Sequence, residues 1–170
     1  MLLQVQAHLE RDTTAELDRL IDRALPARRG LEAWRAFLRA HASLMRELST
    51  DLALRTRLPL GDFDALAQLA LAGGELRMTD LASRAFSSRS AMTRRVDRLV
   101  EEGLVRRTSS DADGRGVVIA LTETGLDRLD EAVPVHLEGV SKLFIDRLDD
   151  EELELVERAL AKVSLDCSFG

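Results

Sequence analysis

A mainly helical fold with a minor β component is the class this sequence predicts, and three observations carry it. Apolar residues recur at helical spacing over long stretches, as in Leu31, Trp34, Leu38, Met45, Leu48 and Leu52. Two short β-rich runs, 104–108 and 117–121, flank a loop of Ser, Asp and Gly and read as a hairpin. Just ahead of that hairpin, residues 79–102 read as two helices broken at Phe86-Ser87-Ser88, the spacing of a helix-turn-helix. Together they predict a winged helix-turn-helix lobe on a helical scaffold built from the N- and C-terminal helices.

The second helix of that pair is the informative one. Ser88 is placed to cap it, its hydroxyl accepting from a free backbone N–H of the first turn. Met92, Val96, Leu99 and Val100 make an apolar stripe that must face a core. At about 100° per residue, Ser90, Arg94, Asp97 and Arg98 fall on the opposite side, with Thr93 flanking them. Guanidinium and hydroxyl groups on an exposed helix face are what base edges and phosphates accept in a major groove. Ser90, Thr93, Arg94 and Arg98 are therefore the candidate base and phosphate contacts, and Arg89 a phosphate contact at the helix entry. The preceding helix is expected to start at Asp80 with Thr79 as its cap.

The remaining elements follow in order. In residues 1–30, Thr14 is expected to cap a helix with Leu17, Leu20, Ile21, Ala24 and Leu25 on one face, ending at Pro26. A long helix spans about 31–55, and a second runs from Gly61 to Ala72 with Phe63, Leu66 and Leu69 inward. Gly73-Gly74 ends it, and residues 75–78 read as a short strand joining the hairpin. A long helix from about 123 to 145 contains Pro134, which removes one backbone bond and predicts a kink. A last helix begins at Asp149, with Glu152 completing a capping box. Residues 164–170 read as a tail.

The order of these elements, with Arg-Arg-Val-Asp-Arg-Leu-Val-Glu-Glu-Gly-Leu-Val-Arg-Arg at 94–107 and Asp-Ala-Asp-Gly-Arg-Gly at 111–116, resembles the MarR family of winged helix-turn-helix regulators. Leu121-Thr122 and Gly125 match that family's Leu-Thr-x-x-Gly. The resemblance is strongest from Met78 to Gly125 and extends over about 31–163. It implies a winged lobe at about 60–122, dimerisation helices at about 31–55 and 123–163, and residues 1–30 as a helical extension. It further implies a homodimer on a pseudo-palindromic site in double-stranded DNA, acting as a repressor released by a small aromatic or hydrophobic effector. On the wing, Arg115 would enter the minor groove, Asp113 would hold it, and Arg106 or Arg107 would touch the backbone. Trp34, Phe37, His41 and Phe63 are the candidate effector contacts, with a plain packing role as the competing reading.

Charge is sorted along the chain. The net charge is −6, yet residues 76–116 hold nine arginines against six acids, while 117–170 hold five basic groups against thirteen acids. A basic reading lobe on an acidic scaffold discourages DNA from the wrong face. The sequence has no Gly-rich phosphate loop and no assembled catalytic set, which argues against an enzyme, and no cofactor or metal is implied. His8, His41, His136 and Cys167 would have to supply a metal- or redox-responsive regulator; a nonspecific architectural DNA binder is the other alternative. A single cysteine, no membrane-length apolar run and no basic leader lead to the expectation of a cytoplasmic protein.

Overall fold

A computed structural model describes residues 2–25, 28, 30–109 and 117–165. The chain divides into two compact units, residues 1–43 and 44–170.

The first unit contains helix α1 (Leu2–Ala24) and the beginning of α2 (Leu31–Thr56). Thr14 is not a cap, because α1 begins at Leu2 and runs through it. No Gly or Pro interrupts residues 2–24, so nothing in the local backbone stops the helix upstream of Thr14. Leu17, Leu20, Trp34, Phe37 and Leu38 are exposed along the two helices.

The second unit holds the core. Its elements are the end of α2, α3 (Leu60–Leu71), β1 (Glu75–Arg77), α4 (Met78–Arg84), α5 (Arg89–Glu101), β2 (Val105–Ser109), β3 (Val117–Leu121), α6 (Glu123–Leu143) and α7 (Asp150–Leu165). A short turn of 3-10 helix at Ile145–Arg147 separates α6 from α7. The three strands form an antiparallel sheet in the order β1-β3-β2, with Leu76 opposite Ile119 and Arg107 opposite Ile119 on the other side. Leu52, Leu58, Leu66, Leu69, Leu81, Met92, Leu99 and Ile119 are fully buried and close one core between α2, α3, α4, α5 and the sheet. The stripe expected on α5 is that core: Met92, Val96 and Leu99 have no exposed surface.

Local chemistry explains where the elements begin. Ser88 Oγ accepts from the Ala91 N–H at 3.3 Å and caps α5. Thr122 Oγ1 accepts from the Gly125 N–H at 3.0 Å, and also donates to the carbonyls of Gly103 and Leu104 at 2.8 and 2.9 Å. One hydroxyl thus caps α6 and ties its start to the entry of β2. The capping box of α7 is complete, with Glu152 N–H to Asp149 Oδ1 at 2.9 Å and Asp149 N–H to Glu152 Oε2 at 3.0 Å. The cap expected at Thr79 is absent. The chain passes from β1 directly into α4, Arg77 stands at the cap position in extended conformation, and no side chain bonds there. The helix α6 continues through Pro134 to Leu143, forgoing one backbone bond.

Candidate nucleic-acid interface

The site is built on α5, whose opposite face is sealed in the core. With Met92, Val96 and Leu99 buried, helical geometry turns Ser90, Thr93, Arg94 and Arg98 outward, and all four are exposed. Arg89 opens the helix and is exposed as well. Thr93 Oγ1 donates back to the Arg89 carbonyl at 2.9 Å. Arg106 projects from β2 into solvent.

The arginines divide into two groups by partner. Arg98 is held by Asp62 of α3: its Nε donates to Oδ2 at 3.1 Å and its Nη2 to Oδ1 at 2.5 Å. That forked pairing raises the guanidinium pKa above its usual value, the hydrogen bond to Asp62 being the largest cause. Asp62 has 1% of its side chain exposed, whereas Arg98 retains 48%. Arg95 Nε lies 3.3 Å from the same carboxylate, in ionic contact but without hydrogen-bond geometry. On the wing, Arg107 donates to Asp97 of α5. By contrast, no described acid pairs with Arg89, Arg94 or Arg106, and these remain available cations at the surface.

A groove of about 660 Å³ opens between the N-terminal end of α4, the outer face of α5 and the strands of the wing. Arg77, Thr79, Arg89, Thr93, Asp97 and Arg107 line it. Arg77 and Thr79 line the groove although the sequence reading did not count them among the candidate contacts. The signal was their place at the entry of the first helix of the pair, the helix that crosses the DNA backbone in this motif. Asp113 and Arg115 lie outside the described residues.

The candidate effector residues fall into two sets. Trp34, Phe37 and His41 form a ladder along α2, with ring centroids 5.8 and 6.1 Å apart in sequence order. Phe63 belongs to the second unit, is 6% exposed, and packs on His136 at 4.6 Å. Burial lowers the His136 pKa from its ordinary value, and the nearby Asp64 carboxylate opposes that shift. Among the described residues, no group of three or more His, Cys, Asp or Glu is placed to hold a metal ion. Nor is any helix among them long and apolar enough to cross a membrane.

A helix-turn-helix, a winged sheet and arginines on the outward face of the second helix define a winged-helix DNA-binding protein. Comparison with known proteins agrees. A family model described as "MarR family" matches residues 57–116. An uncharacterised HTH-type transcriptional regulator of Bacillus cereus is 30% identical over 117 residues, 69% of this chain and 77% of the relative. Among solved structures, AbsC, a MarR family transcriptional regulator from Streptomyces coelicolor, is 32% identical with a TM-score of 0.73, covering 78% of this chain and 89% of that one. Sco3205, a MarR family regulator of the same organism solved in complex with DNA, is 30% identical with a TM-score of 0.75, covering 79% and 84%. The chain belongs to the MarR family of transcriptional regulators. It is a DNA-binding protein of that kind and not an enzyme.

Proposed function

We propose that the protein is a sequence-specific repressor that binds a pseudo-palindromic operator as a homodimer and is released by a small aromatic or hydrophobic effector. The observation that carries the reading is the division among the arginines. Arg89 and Arg94 have no partner among the described acids and share α5 with the exposed Ser90 and Thr93, while Asp62 holds Arg98, one turn beyond Arg94, and is in ionic contact with Arg95. A helix braced in its C-terminal half by a buried carboxylate, with cations that have no described acid partner nearer its N-terminus, suits docking in a major groove. Phosphate contacts come from Arg89 and Arg106, and from Arg77 and Arg107 in the groove beside them. Arg94, with Ser90 and Thr93, reads base edges. Arg115 enters the adjacent minor groove and Asp113 orients it. Arg98 acts mainly as a strut and only secondarily as a DNA contact, because both of its donors in the fork are committed.

Exposed apolar residues support the dimer: Leu137 is 56% exposed on α6 and Leu155 60% on α7. Two such subunits read half-sites about one helical turn, ~10 bp, apart. The Trp34, Phe37 and His41 ladder supports an aromatic effector, which acts only by binding the free and DNA-bound states unequally.

Footprinting on a duplex selected by the protein from random sequence tests the reading, together with light scattering of the free protein. A protected palindrome and a dimer are expected. Uniform coating of DNA, or a monomer at binding concentrations, would overturn it.

A further inference from the structure

Phe86 is fully exposed and sits at a backbone position that favours glycine. The α4 helix ends in a two-bond closure, with the Phe86 N–H on the Ser83 carbonyl at 3.1 Å and the Ser87 N–H on the Ala82 carbonyl at 2.9 Å. That pattern places Phe86 just past the helix end in the left-handed region, with φ of 46°. A side chain there meets its own backbone, and glycine closes the same motif without that strain. The ring gives nothing back inside the subunit, because its relative exposure is 100%. A large apolar side chain at a strained position with no internal contact is explained by a partner.

The surroundings name that partner's chemistry. Phe86 lies two residues before Ser88, the cap of α5, at the end of the helix that enters a groove. Arg84 and Arg89 flank it, both exposed and neither paired with a described acid. An exposed apolar ring with an exposed arginine two residues before it and another three residues after it fits a polyanion that carries apolar patches between its phosphates. DNA is such a surface, with thymine methyl groups in the major groove and deoxyribose faces along the strands.

We infer that Phe86 is a DNA-contacting residue, its ring packing on thymine methyl or deoxyribose at the rim of the major groove while Arg84 and Arg89 pair with the neighbouring phosphates. The inference rests on the operator-binding reading above. It identifies the turn of the helix-turn-helix, and not only the helix after it, as part of the reading surface.

The test uses the full chain and a duplex selected by the wild-type protein from random-sequence DNA. Phe86→Gly and Phe86→Asn both tolerate the left-handed backbone and remove the ring. Each is expected to bind that duplex about tenfold more weakly, with a Tm no lower than wild type. Replacing thymines by deoxyuridine, one position at a time, then separates the two sources of contact. A position that matters to wild type but not to Phe86→Gly identifies a methyl contact. A loss in Phe86→Gly that is the same at every substituted position identifies a sugar contact. Affinity within about twofold of wild type in both variants overturns the inference and leaves operator binding standing. So does dissociation of the dimer in sedimentation, which assigns the ring to a subunit contact. If the wild-type protein selects no duplex at all, the operator reading falls and the inference with it.

Discussion

The carboxylate of Asp62 on α3 accepts both the Nε and Nη2 donors of Arg98 on α5, and only the acid is buried. The helix it holds is the one with the outward arginines. Removing it leaves two guanidinium groups, Arg95 and Arg98, facing a vacated site. Asp62→Ala is expected to destabilise the protein by about 2 kcal/mol. This is less than the loss for a fully buried pair, because Arg98 keeps half its surface in water. For a chain of this size, that corresponds to a Tm lowered by about 4–8 °C in a calorimetric scan. An unchanged Tm would mean that the pair does not brace α5.

Arg94 and Arg89 should respond differently to substitution. Arg94→Ala is expected to relax base preference at one position of each half-site, worth about 1–3 kcal/mol of discrimination. Arg89→Ala should weaken binding to all duplexes alike and reduce the salt dependence by about one unit of slope. Competition binding against a panel of single-base variants at two or more salt concentrations separates them.

Gly125 is confined by its neighbours. A Cβ there would lie 2.0 Å from the Leu104 carbonyl oxygen and 2.9 Å from Leu121 Cδ1. The first of these is backbone, already engaged by the Thr122 hydroxyl, and cannot retreat without opening the start of β2. Gly125→Ala should therefore cost about 3 kcal/mol despite its better helix propensity. Urea unfolding that shows a gain in stability would contradict this packing.

Acid should weaken the second unit through His136. Burial against Phe63 lowers the imidazole pKa in the folded state below its ordinary 6.5, so the unfolded chain binds the proton more readily. Its contribution is then present above 6.5 and lost as pH falls from there towards the lowered value. Asp64 works in the other direction, since burial raises its carboxyl pKa from 3.8 despite opposing pulls from His136 and Arg95. Its preference for the protonated form favours the fold in acid and is lost as pH rises through the raised value. His136→Gln should flatten the decline below neutral pH in a series of denaturation midpoints, and a slope equal to wild type would rule the imidazole out.

Element order was written in local signals and could be read without the fold. Ser88 and the Asp149–Glu152 box sit within three residues of the backbone groups they satisfy, so their roles follow from spacing alone. The same holds for the stripe of Met92, Val96 and Leu99, because a helix repeats every 3.6 residues whatever surrounds it. The fate of each arginine was not legible in this way. Arg98 and Asp62 are 36 residues apart, Arg107 and Asp97 ten, and a guanidinium chooses its partner by distance in space. From the sequence, Arg89, Arg94, Arg98 and Arg107 were all candidate DNA contacts, with nothing to say which of them an acid would hold. The packing of α3 and β2 against α5 decided that two of them are tied to acids and two have no partner among the described acids, because Coulomb attraction and hydrogen bonding depend on proximity that only the folded chain creates.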